Sequence, residues 1–217
     1  MTVGSPRTRA ERKKQELRRE IVEAAFECFT ERGYHATGIA DIAARLGIGH
    51  GTFYRYYENK RDIVDHAITD LIERVVASLT AENAPEAASS LADYRRQTAR
   101  IGDALTSVFG SDPRVARFLV LEAAGIDADM RERVLDFHEF AVGLTAGYLE
   151  HGVDIGYLRT DLDIASTARA INGMILSGVL AALREPDPAA QERLGTAIRR
   201  VMYDGISAPP KGGNVTG

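Results

Sequence analysis

The stretch Ile39–Lys60, IADIAARLGIGHGTFYRYYENK, restricts the fold more than any other part of the chain. Ile39, Ile42, Ala43 and Leu46 recur at the spacing of one helix face. Gly47 follows the last of them, where a left-handed residue stops a helix. A second segment, His50–Tyr57, starts within three residues and carries Phe53 and Tyr57 four apart as its apolar face. Two short helices across a tight glycine-containing turn make a helix-turn-helix, whose second helix lies in the DNA major groove.

The second segment suits that role chemically. His50, Thr52, Tyr54, Arg55 and Tyr56 crowd one turn and a half, and Gly51 lets a backbone approach closely. Hydroxyls, Arg55 and Lys60 are donors matched to phosphate oxygens, which take most protein–DNA hydrogen bonds. Helix periodicity alone leaves a plain helical hairpin with surface polar groups equally open.

The run GYHATGIADIAARLGIGHGTFYRYYENKRDIV resembles the signature of the TetR family of bacterial transcriptional repressors. The matching residues are Gly33, Tyr34, Thr37, Asp41, Ile42, Ala43, Leu46, Gly47, Gly51, Thr52, Tyr54, Lys60 and Ile63. The matched motif covers about the first third of the chain; the remainder matches only in length and helical character. The resemblance implies a homodimeric, all-α protein with an N-terminal DNA-binding domain and a C-terminal ligand-binding and dimerisation domain. Three departures stand out: Gly49 where a capping Ser is common, Gly38 where a second Thr is usual, and Tyr56-Tyr57 in place of His-Phe. Glycine is a tolerated N-cap, and the tyrosines keep the ring.

Charge is divided along the chain. The net charge of −4 looks wrong for a DNA binder. Residues 1–60, however, carry 11 Lys and Arg against 8 Asp and Glu, a net of +3, while residues 61–217 carry 16 against 23, a net of −7. A basic DNA-facing end on an acidic body is the expected reading. An apolar fraction of 45% suffices for a packed core. No run of about 18 apolar residues is evident, so no membrane span is expected. The basic, polar N-terminus has no secretory h-region, and the single Cys28 permits no internal disulfide. A soluble cytoplasmic protein is the simplest expectation.

In chain order, residues 1–10 read as a flexible basic arm, and 11–60 as the helix-turn-helix domain. The first helix is expected over Glu11–Arg32, with Leu17, Ile21, Ala24, Ala25, Cys28 and Phe29 inward and Gly33 as its stop. Arg12, Lys13 and Lys14 at its start are candidates for salt-dependent contact with phosphates or the minor groove. Thr37 is a candidate N-cap for the next helix. Residues 61–206 read as the ligand-binding and dimerisation domain, opened by a connecting helix over 61–79. Asn83–Ser90 is the clearest break. Helices follow over 91–109, 115–124, 129–152, 161–183 and 189–206, making about nine in all. Residues 207–217 read as a disordered tail.

The helices near 161–183 and 189–206 combine small residues with apolar stripes, and the resemblance implies that they form the homodimer interface. One helix in one groove also reads too few bases, whereas a two-fold pair reads a palindrome. Tyr94, Phe109, Phe118, Phe137 and Tyr148, with His138, are candidates for lining an apolar effector pocket beside in-helix glycines. Each aromatic alone is as readily explained as core. No phosphate loop, nucleophile elbow, HExxH or Cys cluster is present, so an enzyme, a cofactor and a metal are not expected.

The function read from the sequence is a regulator, expected to be a repressor, released from a palindromic operator by a small apolar or amphipathic effector. His50, Gly51, Thr52 and Arg55 are the candidates for base edges, and Thr37, Tyr54, Tyr56 and Lys60 for phosphates. A helical ligand-binding protein without specific DNA recognition is the alternative, with a small all-α enzyme behind it.

Overall fold

The computed structural model describes residues 9–79, 83–110, 112–184 and 187–207. Among them it contains nine α-helices: α1 Arg9–Arg32, α2 Ile39–Leu46, α3 His50–Phe53, α4 Lys60–Ser78, α5 Leu91–Gly110, α6 Pro113–Leu121, α7 Ala128–Asp154, α8 Ile164–Arg184 and α9 Pro188–Ile206. Single 3₁₀ turns lie at Pro85–Ala87, inside the expected break, and at Ala123–Gly125. The only β pairing among the described residues is an isolated bridge between Leu158 and Ser207. The all-α expectation therefore holds.

Local chemistry accounts for the helix ends. Gly33 and Gly47 take the left-handed conformation, with φ of 84° and 65°, which a residue with a Cβ adopts at a cost. α6 and α9 both open on Asp-Pro. Asp112 accepts from the Arg114 and Val115 N–H groups, and Asp187 from that of Ala189. The proline beside each cap lacks only an N–H that no helical carbonyl would accept.

The chain divides into two compact units, Met1–Ile72 with Asp112–Arg131, and Glu73–Ser111 with Glu132–Gly217. The sequence placed the division at 60/61 and gave the whole of α6 to the C-terminal part. Two features of packing move it. Ile63, Val64, Ala67, Ile68 and Leu71 of α4 are all buried, on the stretch that falls in the first unit. α6 supplies Phe118, 1% exposed, to an aromatic cluster of α1 and its exit turn. Its ring centroid lies 5.1 Å from Phe26, 5.3 Å from Phe29 and 6.1 Å from Tyr34. Charges reinforce the same seat, since Arg114 donates to Glu27 at 2.5 Å. Arg61 Nε lies 3.0 Å from Asp127 Oδ2, a contact of charges rather than an aligned hydrogen bond.

The second unit has its own core of Ala88, Tyr94, Val142, Tyr148, Leu149, Leu158, Ala168, Ile171, Tyr203 and Ile206. Several polar groups of this unit find partners, although the buried Gln97 Oε1 has none among the described residues. Tyr203 and Thr98 share a hydroxyl contact of 2.6 Å, the Tyr148 hydroxyl donates to the Asn83 carbonyl, and His151 Nε2 lies 2.9 Å from the Ala88 carbonyl oxygen. α8 is the most apolar of the long helices described. By length and mean hydropathy it is apolar enough to cross a membrane, with 17% of its most apolar window buried. Its polar residues engage α7 instead: Arg169 pairs with Glu139 at 2.5 Å, and Asn172 donates to Thr145 at 2.9 Å.

The expected tail falls almost wholly on residues 208–217, and the expected arm on residues 1–8; both lie outside the described residues, as does Pro186. Arg9 and Ala10, assigned to the arm, are already helical in α1.

Candidate nucleic-acid interface

α2 and α3 are joined as the sequence requires. The Gly47 N–H closes onto the Ala44 carbonyl at 3.1 Å, and the Ile48 N–H onto Ala43 at 3.0 Å, so the left-handed glycine satisfies the last carbonyls of α2. Gly38, not Thr37, is the N-cap of α2. Having no side chain to cap with, it is served from the other direction: Asp41 Oδ2 accepts the Gly38 N–H at 2.8 Å. Asp41 Oδ1 accepts from Arg32 at 2.7 Å. The Gly38 N–H foremost, with the Arg32 charge, holds the Asp41 carboxyl below the usual aspartate range.

α3 is shorter than expected. Regular helix covers His50–Phe53, and the chain continues in turns, with the Tyr56 N–H on the Phe53 carbonyl at 2.9 Å and the Tyr57 N–H on the same oxygen at 3.2 Å. Phe53 and Tyr57, 0% and 1% exposed, pin this segment to the first unit. Arg18 lies over the Tyr57 ring, 5.1 Å from its centroid, and its Nε donates to the Tyr57 hydroxyl at 3.3 Å. Burial pushes the Tyr57 hydroxyl's pKa up, and the Arg18 bond pulls against it.

With those two rings inward, the other side chains point out. His50, Gly51, Tyr54 and Arg55 are exposed, and Thr52 and Tyr56 half-buried. Tyr54, at 55% exposure, is a large ring that no core would place there. Arg55 Nη2 donates to Thr52 Oγ1 at 3.2 Å and has no carboxylate partner among the described residues. Three other arginines of the unit are tied to carboxylates. Arg32 pairs with Asp41, Arg45 with Glu27 and Glu31, and Arg114 with Glu27. Arg55 therefore keeps its charge free of a neighbouring acid on the α3 segment. Arg12, Lys13 and Lys14 are exposed on the first turns of α1, where the sequence placed them.

Two expected phosphate donors face inward. Thr37 is 2% exposed, its hydroxyl 2.9 Å from the Gly33 carbonyl oxygen and 3.2 Å from that of Cys28. Lys60 directs its ammonium at the carbonyls of Tyr34, Thr37 and His35, at 2.6, 2.9 and 3.3 Å. The sequence reading missed the Asp41 bond to Gly38, the Arg18 contact with Tyr57 and the seat of Phe118 against α1. Asp41 was legible, because an acid three residues into a helix commonly reaches back to the N-cap N–H.

The expected pocket residues are divided between the two units. Phe118 belongs to the first unit. Tyr94 and Tyr148 are in the second unit's core, with Tyr94 packed 5.6 Å from Tyr157 and 6.3 Å from Tyr203 between ring centroids. Phe109, Phe137 and His138 are half-buried on α5 and α7.

Residues 21–67, from the middle of α1 into α4, match the family described as bacterial regulatory proteins, tetR family. Similarity to whole proteins is lower and longer. The chain is 22% identical over 187 residues to the fatty acid metabolism regulator protein of Bacillus subtilis, covering 86% of this chain and 94% of that one. It is 26% identical over 200 residues to the transcriptional repressor KstR2 of Rhodococcus jostii, covering 88% and 92%. Among solved structures, the transcriptional regulator FadR of Bacillus subtilis in complex with stearoyl-CoA superposes with a TM-score of 0.69 at 21% identity, covering 87% of this chain and 98% of that one.

Proposed function

We infer that this chain, a member of the TetR family of bacterial regulatory proteins and thus a DNA-binding transcriptional regulator, works as a homodimer that a small apolar or amphipathic effector releases from a palindromic operator. The observation that carries the DNA-binding role is the division of α3: Phe53 and Tyr57 buried beneath, His50, Gly51, Tyr54 and Arg55 exposed above. His50, Gly51, Thr52 and Arg55 are the base-edge candidates, and Tyr54 and Tyr56 reach phosphates. Arg12, Lys13 and Lys14 add a sequence-independent, salt-sensitive contribution. Such a protein acts where the chromosome is, in the cytoplasm.

The dimer is supported by what α8 and α9 leave uncovered. Ile175, Leu176 and Leu180 of α8 and Val201 of α9 are 41%, 42%, 38% and 65% exposed. Large apolar side chains left uncovered on two helices that pack together suit a protein–protein surface. Small residues among them, Gly173, Ser177 and Ala197, permit close helix approach.

The effector acts through the second unit. The stearoyl-CoA held by the Bacillus subtilis regulator makes long-chain acyl thioesters the first class to test. The chain passes between the units within α4, between α5 and α6, and within α7. Whatever binds must favour one arrangement of these helices over another, since equal affinity for both shifts nothing.

Arg55→Ala tests the reading. It should weaken binding to the preferred sequence by about 1–3 kcal/mol, the worth of one bidentate base contact, and relax preference at one position of each half-site. Fluorescence anisotropy against a set of single-base variants measures this. Unchanged preference at every position would remove Arg55 from the base readers.

A further inference from the structure

Lys60 is the first residue of α4, and its amine bridges 23 to 26 residues back along the chain. α1 stops at Arg32, where a helix leaves carbonyls without partners. The segment that follows, Tyr34–Thr37, presents three carbonyl oxygens to one point. Lys60 Nζ occupies that point, 2.6 Å from Tyr34 O, 2.9 Å from Thr37 O and 3.3 Å from His35 O. An ammonium has three donors and no acceptor, so all three are engaged. Nζ also lies 4.3 Å from the Tyr34 ring centroid, and that ring packs on Phe29 at 5.1 Å. Partial burial lowers the lysine's pKa from its ordinary value, a penalty that the carbonyls and the ring offset.

The gripped segment is the entry to the reading pair. Thr37 immediately precedes Gly38, the N-cap of α2, and only Gly47, Ile48 and Gly49 separate α2 from α3. We propose that Lys60 is a positioning residue for DNA recognition: it ties the start of α4 to the residues that enter α2 and so sets the angle at which α3 is presented, without itself touching DNA. The proposal rests on the reading that α3 recognises DNA. It replaces the role of phosphate donor expected for Lys60 from the sequence. Arginine cannot substitute, because a planar fork does not aim three N–H groups from one atom at three oxygens.

The test uses the full-length chain with Lys60→Met and Lys60→Arg, and two duplexes of equal length: one selected by the wild-type protein from a random pool, the other its scramble. Affinity for each is measured over a salt series, beside circular dichroism at the same temperature. The folded Met variant should lose roughly 10- to 100-fold on the selected duplex, the effect of one or two misaligned base contacts. Its affinity for the scramble and its salt slope should match wild type, and the Arg variant should not recover the loss. Parallel losses on both duplexes, with a slope smaller by roughly 0.9 and rescue by Arg, would mean that Lys60 is a phosphate contact after all. Folded variants that bind both duplexes as wild type does would reduce Lys60 to a fold-stabilising group and also overturn the proposal. Should the Met variant be unfolded, Lys60→Gln, which keeps an N–H donor group, carries the same comparison. Wild-type protein that selects no sequence would instead overturn the regulator reading, and that failure shows before any variant is made.

Discussion

Phe118→Ala should destabilise the first unit by about 3–5 kcal/mol, the range for truncating a fully buried aromatic. The residue lies some sixty positions from α3 in sequence, yet DNA binding should fall with it. The cause is the seat of the ring. Phe118 is 1% exposed and has three aromatic neighbours, Phe26, Phe29 and Tyr34, with centroids at 5.1, 5.3 and 6.1 Å. Tyr34 in turn holds the segment that enters α2. Truncation leaves a ring-sized void beneath the turn from which the reading pair springs. Because the chain has two units, a single unfolding free energy is not the right observable. Hydrogen exchange is, read segment by segment. Protection should drop over α1, α2 and α4 and persist over α8 and α9. A variant with wild-type protection and wild-type DNA affinity would show that the cluster does not support the reading pair.

The second large effect belongs to the α8–α9 face. Val201→Glu combined with Leu176→Glu should leave the chain a monomer and take operator affinity down by about three orders of magnitude, towards the non-specific level. In a two-fold interface each substitution appears twice on self-complementary patches. The double variant therefore brings four like charges into a surface that is to be dried, and an unpaired buried charge is expensive. Both positions are exposed in the single chain, at 65% and 42%, so the monomer itself should stay folded. Sedimentation velocity separates the outcomes. A double variant that sediments as wild type and binds operator as wild type would place the dimer contact elsewhere.

The limits of reading this chain from sequence follow from what local pattern can encode. Helix ends were legible where a residue type dictates backbone geometry, at Gly33 and Gly47. The reading pair was legible because the spacing of Ile42, Ala43, Phe53 and Tyr57 is a local property. What α6 packs against was not. The pattern of Val115–Ala124 says that one face is apolar, but nothing in it says that the partner is α1, almost ninety residues earlier, rather than a neighbour in the second unit. Lys60 and Thr37 failed differently. Residue type marks a donor without saying whether it points at water, at phosphate or at the chain's own carbonyls, and here both point at carbonyls.

The central claim is that α3 reads DNA as one of a symmetric pair. Native mass spectrometry of the wild-type protein on a duplex it has itself selected tests this most directly. The account predicts complexes of one duplex with an even number of chains and none with a single chain, and a selected sequence whose halves are inverted repeats. A stable complex of one chain on one duplex, or selected sequences without two-fold symmetry, would contradict it.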